Sequence, residues 1–397
     1  MGKDFEVAVA HLPQVALTAK GLRWQRTGHP WIYRDDLAAA PELTPGALVA
    51  VTDPAGRFLG QALYSAASRI ALRFVTRGEE AVDGAFWEAR LVQAMEYRRR
   101  VVADTDAYRL IYGEADGFPG LVVDCYGPHL ALQSHHPGME RRLPELLELL
   151  ARRLSPASIT LRHDGEVRLL EGLPLEVKTV WGELPPLVEV REGPVRLLVD
   201  IRGGQKTGLF LDQRENRRAA AAHARGEVLD AFAYQGAFAM HLAPAAARVT
   251  LVESSEAALA LARENARLNG LDNLEPVKEN AFSFLKGAVE QGRRFDLIIL
   301  DPPAFARSRR DRAAALKGYR EINRRAFQLL NPGGVLVTCS CSYNLSDAEF
   351  LAVVRAAAVD SRRQARLIER RGAARDHPAL LSLPESLYLK CLILEVL

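Results

Sequence analysis

Two cysteines one residue apart, Cys339 and Cys341, close the apolar run GGVLVTCSCS, and an acid followed by two prolines, Asp301-Pro302-Pro303, closes another, FDLIILDPP. A thiolate can add to C6 of a pyrimidine, which makes C5 enamine-like and able to take a methyl group from a sulfonium. An acid held stiffly by two prolines can hydrogen-bond the N3 and N4 edge of a cytosine and stabilise that adduct. An ordinary thiol is ionised by only a few per cent at neutral pH, so the acting cysteine needs a cation or a helix N-terminus beside it. The bland reading makes both thiols small buried hydrophobes and the proline pair a turn.

Such residues act together only if strand ends present them at one edge of a sheet. From about residue 187, after a hairpin (PLVEVREGPVRLLVDI), strands and helices alternate as in a doubly wound α/β sheet. EVLDAFAY reads as a first strand running into a turn at Gly236, and RVTLVES as a second strand ending on Glu253, 17 positions further on. A carboxylate there accepts hydrogen bonds from both hydroxyls of a ribose. LEPVKEN, FDLIILDPP and GGVLVTCS supply strands three to five, with Asn280 after the third able to accept from an adenine amino group. The loop DAFAYQGAF has one glycine where a dinucleotide fingerprint needs three, which disfavours a dehydrogenase and suits S-adenosylmethionine, a cofactor without phosphate. The cofactor set read from this pattern is Lys206, Phe210, Asp212 and Arg214 from GGQKTGLFLDQR, Phe232, Ala233 and Gly236 from the first turn, Glu253 and Ser254, Asn280 and Ala281, and Asp301. Gly203, Gly204 and Gly208 allow the backbone to approach a ligand closely, while Lys206, Asp212 and Arg214 can meet a carboxylate, an amine or a phosphate.

A chain of 397 residues exceeds one ordinary core, and three zones differ in texture. Residues 1–78 are strand-like with turn signals and read as a small β-barrel; 79–186 open with a basic helix and read as a compact α+β module; 187–397 carry the alternating pattern. No window is apolar enough to span a membrane, and Lys3, Asp4 and Glu6 interrupt any leader, so a cytoplasmic protein is expected. The four cysteines have neither disulfide-framework nor zinc spacing, and no metal is expected. Net charge is only +3, but 44 of the 52 basic residues are arginines, whose guanidinium forks suit phosphate and stacked bases; codon bias produces the same excess. Near the start, Lys20, Arg23, Arg26, His29, Trp31 and Arg34 interleave cations with an aromatic, as RNA-contact surfaces do.

The strings KGLRWQRTGHPWIY (20–33), GEADGFPGLVVDCYG (113–127), GGQKTGLFLDQRENR (203–217), FDLIILDPPAFARS (295–308), GGVLVTCSCS (333–342) and DHPALLSLPESLYLK (376–390) together span nearly the whole chain. In them the sequence resembles the PUA-domain large-subunit ribosomal RNA cytosine-C5 methyltransferases of bacteria and archaea. The resemblance implies a PUA β-barrel for RNA over 1–78, a central α+β domain over 79–186 and a Rossmann-like class I methyltransferase domain over 187–397. It also implies S-adenosylmethionine as cofactor and 23S ribosomal RNA or a large-subunit assembly intermediate as partner. It nominates Cys341 over Cys339 as the nucleophile, Asp301 as its catalytic companion, and Lys20, Arg23, His29, Trp31 and Arg34 as RNA contacts. Related enzymes often carry a second cysteine after the prolines to expel product; Ala304 and Phe305 stand there, so that role is unassigned. His377 is a candidate for removing the C5 proton. The family's usual acid at the adenine position is replaced by Asn280. The rival readings are methylation of a ring nitrogen such as guanine N7, which needs no thiol, and a PUA RNA-binding protein with a degenerate methyltransferase fold. The sequence does not give the oligomeric state, a homodimer being one arrangement.

Overall fold

The computed structural model describes Val9, residues 11–305 and residues 311–397; the charged start at Lys3, Asp4 and Glu6 and the end of the 295–308 string lie outside the described residues. The chain divides into two compact units. The first runs to Val190 and takes in Val199–Phe210 and Arg375–Ser386; the second comprises Arg191–Leu198, Leu211–Ala374 and Leu387–Leu397.

The first unit holds two five-stranded sheets. Strands β1 (Gln14–Ala16), β2 (Trp31–Tyr33), β3 (Leu48–Thr52), β4 (Phe58–Tyr64) and β5 (Ile70–Thr76) lie in the order β1-β3-β4-β5-β2 around a core that includes Val15, Ile32, Val49, Val51 and Leu72. A bridge between Leu17 and Leu37 ties the segments that follow its two edge strands. Strands β6 (Ala107–Tyr112), β7 (Leu121–Tyr126), β8 (His129–Ser134), β9 (Ser158–His163) and β10 (Glu176–Gly182) follow in the order β10-β9-β8-β7-β6. The helices Gly84–Val101, capped by the Asp83 carboxylate, and Leu143–Leu154 share a core with this sheet through Trp87, Leu91, Leu146 and Leu150.

A hairpin of β11 (Val188–Glu192) and β12 (Val195–Val199) precedes the large sheet in the chain. That sheet contains β13 (Glu227–Ala231), β14 (Arg248–Glu253), β15 (Leu274–Lys278), β16 (Phe295–Leu300), β17 (Leu330–Ser340), β18 (Ala365–Arg371) and β19 (Lys390–Val396), in the order β15-β14-β13-β16-β17-β19-β18. The first five pair in parallel, and β19 lies antiparallel to both β17 and β18. Central strands covered on both faces have to be apolar throughout, and Leu297, Ile298, Ile299 and Leu300 are fully buried. Strand order reverses between β13 and β16, and in open α/β sheets ligands bind outside the carboxyl ends of the strands at that reversal.

One buried acid sits on β13 just below that edge. The Asp230 carboxyl accepts from the Ala239 amide at 3.1 Å. Burial pushes its pKa up to about 8, and the nearby charges of Asp301 and Glu253 push the same way. The folded chain therefore keeps a proton that the unfolded chain releases near the ordinary carboxylate value. Stability from this group is fully present at low pH and is lost as pH rises through about 8. Asp230→Asn, which keeps the acceptor, should flatten the dependence: between pH 6 and 9 the wild type should lose about 2 kcal/mol more than the variant, read by denaturant unfolding. Parallel curves would show that Asp230 does not titrate in this range.

Candidate active site

Five strand ends carry the candidate residues of the second unit to one edge. Phe232 and Ala233 follow β13, Glu253 ends β14, Asn280 and Ala281 follow β15, Asp301 follows β16, and Cys341 follows β17. Phe232 and Tyr234 hold left-handed backbone at φ 66° and 49°, conformations that cost energy for residues with a Cβ and concentrate at functional sites. Gly236 sits at φ 75°, and a Cβ there would lie 2.8 Å from Leu251, so the turn admits only glycine.

The Glu253 carboxylate is held by backbone amides: Oε2 accepts from Tyr234 at 3.0 Å, and Oε1 from Ser254 at 2.7 Å and Ser255 at 2.9 Å. It is half-buried and retains lone pairs for further donors. Asn280 does different work from that expected of it. Its side-chain oxygen caps helix Ala281–Glu290 by accepting from Phe282 and Ser283, so the oxygen meant for adenine is already engaged. Ser254 is exposed and Ala281 buried. Phe232, Phe282, Phe305 and Tyr319 form a row of rings with successive centroid separations of 6.0, 5.6 and 4.6 Å.

Asp301 is oriented by a residue to which the sequence reading gave no role. Gln213 Nε2 donates to Asp301 Oδ1 at 2.8 Å, Asn216 Nδ2 donates to Gln213 Oε1 at 2.6 Å, and Arg371 Nε donates to Asn216 Oδ1 at 3.0 Å. Gln213 and Asn216 lie inside the motif string 203–217, where Asp212 and Arg214 were expected to touch cofactor. Both of those are buried: Asp212 Oδ2 accepts from the Tyr388 hydroxyl at 2.5 Å, and Arg214 lies 3.9 Å from Glu215. Lys206 and Phe210 belong to the first unit, with Lys206 Nζ 4.5 Å from the Phe210 ring centroid. In the same segment Thr207 donates to Asp124 at 2.6 Å.

The two cysteines separate clearly. Cys339 is fully buried and faces Cys391 across the β17–β19 ladder; that thiol and burial hold its own pKa far above the usual range, so it stays a neutral thiol. Cys341 is half-buried at the open edge. Around it, the Tyr319 hydroxyl meets Ser340 Oγ and Ser342 Oγ, each at 3.0 Å. Lys390 Nζ donates to the carbonyls of Ser342, Leu345 and Tyr388 at 2.7, 2.8 and 2.7 Å. Lys390 ends the string 376–390 and was also passed over in the sequence reading.

In the first unit, His377 is buried against Asp376 at 3.1 Å, with its ring 5.4 Å from that of Tyr112. The five RNA candidates do not form one exposed set. Lys20 is exposed and paired with Asp36 at 2.8 Å, and Arg23 is exposed. His29 is buried and accepts from the Trp31 amide, Trp31 Nε1 donates to Glu114, and Arg34 donates to the carbonyls of Ser65, Ala66 and Ser68. Glu140, His163 and Glu176 also cluster here, but Arg168 already ion-pairs with Glu140 at 3.0 Å.

The strand order, the glycine turn, the carboxylate on the second strand and the acid-proline end of the fourth define a class I S-adenosylmethionine-dependent methyltransferase. The donor set fits that cofactor: carboxylates and aromatic rings at the sheet edge suit a sulfonium, ribose hydroxyls and adenine better than a pyrophosphate. The family model described as S-adenosylmethionine-dependent methyltransferase matches residues 159–380, and that of the PUA-like domain matches 15–77. Ribosomal RNA large subunit methyltransferase I of Klebsiella pneumoniae (strain 342) is 40% identical over 371 residues, covering 91% of this chain and 93% of that protein. The protein of the same name from Cronobacter sakazakii is also 40% identical, over 91% of this chain and 94% of its own length. The chain belongs to the ribosomal RNA large subunit methyltransferase I family of S-adenosylmethionine-dependent methyltransferases. A methyltransferase structure complexed with SAH shares the fold at a TM-score of 0.84 and 20% identity, covering 97% of this chain and 100% of that one. A structure from Streptococcus mutans does so at 0.82 with the same identity and coverage. Among the described residues no helix is long and apolar enough to cross a membrane.

Proposed function

We propose that this chain methylates C5 of a cytosine in 23S ribosomal RNA through a covalent adduct between Cys341 and C6. The observation that carries the reading is the pairing of β16 with β17 in parallel, Leu300 against Thr338, which sets Asp301 and Cys341 beyond the carboxyl ends of neighbouring strands. S-adenosylmethionine supplies the methyl group. Glu253 accepts from the ribose hydroxyls, the backbone after β13 and β15 lines the remainder, and the Phe232 ring offers an apolar face. Asp301, fixed by Gln213, accepts from the N4 amino edge of the cytosine. The Cys341 thiolate forms the Sγ–C6 bond, and C5 gains nucleophilic character and takes the methyl group as the sulfonium S–CH3 bond breaks. A general base then takes the C5 proton, the C5–H electron pair re-forms the C5=C6 double bond, and the Sγ–C6 bond breaks to return the thiolate.

Within this reading the enzyme works in the cytoplasm, on 23S RNA or a large-subunit assembly intermediate, as a monomer or a homodimer. Of the five RNA candidates, Lys20 and Arg23 are the exposed ones, available for phosphate contact. Nucleoside mass spectrometry on unmodified 23S RNA incubated with labelled cofactor should find the label in 5-methylcytidine. Label in another nucleoside, such as 7-methylguanosine, would reject the carbon chemistry.

A further inference from the structure

We infer that Lys390 is the positioning residue for the nucleophile: its ammonium group fixes the loop that begins at Cys341 and places a buried positive charge beside the thiol, favouring the thiolate. The inference rests on Cys341 being the nucleophile.

The geometry requires the charged form of the lysine. Lys390 is 4% exposed, and its Nζ has three carbonyl acceptors, at Ser342, Leu345 and Tyr388. A neutral amine has two N–H groups and leaves one buried carbonyl unmet; the ammonium has three and satisfies them all. Ser342 is the residue after Cys341, and Lys390 itself faces Ser340 across the β17–β19 ladder, so the lysine grips the chain on both sides of the thiol. A loop anchored at 342 and 345 cannot swing its first residue away without breaking buried hydrogen bonds.

The electrostatic surroundings do not all favour that charge: on balance the Lys390 pKa lies below its ordinary value, chiefly through burial. Asp347, at the start of helix Asp347–Asp360, and Cys341 act to raise it. Cys341 also acts on Tyr319, whose hydroxyl is raised above its ordinary value, chiefly by burial, and so stays a neutral phenol. Asp301 acts on Cys339, whose thiol stays neutral beside Cys391. Of these groups, among the described residues, Lys390 is the cation, and a positive charge in a low-dielectric setting stabilises a thiolate far more than it would in water.

The test is the pH dependence of Cys341 alkylation by iodoacetamide, read by mass spectrometry of the Cys341 peptide in the full-length protein. The variants are Lys390→Met, which keeps the stem and removes the charge, and Lys390→Arg, which keeps the charge. In the wild type the alkylation midpoint should fall below about 8.5, the value of an ordinary thiol. It should rise by at least one pH unit in Lys390→Met and stay within half a unit of wild type in Lys390→Arg. In methylation assays the Met variant should lose at least tenfold in kcat at pH 7, with part of the loss recovered by pH 9 and KM for S-adenosylmethionine unchanged.

An unchanged midpoint in a folded Lys390→Met protein overturns the inference. If that variant does not fold, a wild-type midpoint at or above the ordinary value overturns it instead. Alkylation does not depend on Cys341 being the nucleophile. Methylation that survives Cys341→Ala would sink that assignment while leaving the measured Lys390–Cys341 coupling intact.

Discussion

Replacing Cys341 by alanine should reduce transfer of label into 5-methylcytidine by on the order of a thousandfold or more, a loss of about 4 kcal/mol of transition-state stabilisation. The size follows from the proposed chemistry: without addition at C6, C5 of cytosine is too weak a nucleophile to take the methyl group, and Cys341 is the group proposed to add there. Binding of the cofactor should be untouched, since Glu253 and the β13 turn do not depend on the thiol. Cys339→Ala is the matched control. That thiol lies inside the β17–β19 pairing, faces Cys391 and is held neutral. Its loss should cost about 1 kcal/mol of stability through a small cavity and leave kcat within a few-fold. Single-turnover assays on 23S RNA with both variants decide the matter. Equal losses would mean that the two cysteines act together, and no loss in either would move the enzyme to nitrogen chemistry.

The two cysteines also show what local pattern can and cannot reveal. Strand alternation left both open as nucleophiles; only the pairing of β17 with β19, whose Cys391 lies far along the chain, buries one and leaves the other at the edge. The cofactor edge itself was legible because its signals are local: a glycine turn after a buried strand, a carboxylate closing the next, and an acid-proline pair closing the fourth. Asn280 looked like a ligand because strand ends and helix N-caps share the same residues, and a side chain that accepts from Phe282 and Ser283 is a cap first. Lys206 and Phe210 read as part of the methyltransferase half because the motif string is continuous. The structure assigns them to the first unit, where Thr207 binds Asp124 and Tyr126, residues more than 80 positions earlier. His29 and Arg34 failed as an exposed basic surface for a similar reason. Arg34 is consumed by carbonyls on the loop after β4, which no spacing rule reveals.

Arg217→Met should destabilise the second unit by about 3–5 kcal/mol, the largest stability effect expected of a single substitution here. Arg217 is fully buried and forms a two-pronged pair with Glu192, Nε to Oε1 at 2.9 Å and Nη2 to Oε2 at 2.6 Å. His241 Nε2 approaches the same carboxylate at 3.0 Å. Although burial works against the charged forms, the pair overcomes it: Glu192 is held well below the usual carboxylate range, and Arg217 is raised above its own. Removing the guanidinium leaves a buried carboxylate with only an imidazole beside it, which must then be protonated to share the charge. The double variant Arg217→Met, Glu192→Met removes both charges and should recover most of the loss, because the pair repays its own desolvation but adds little beyond that. The pair is electrostatically coupled to the candidate edge, since the charges of Asp212 and Asp301 both raise the Arg217 pKa. The double variant should therefore fold like the wild type and still show a lower kcat, through an altered field at Asp301. Denaturant unfolding of the two singles and the double gives the coupling energy. A double variant as unstable as Arg217→Met alone would mean that Arg217 stabilises by packing its stem and not by its charge.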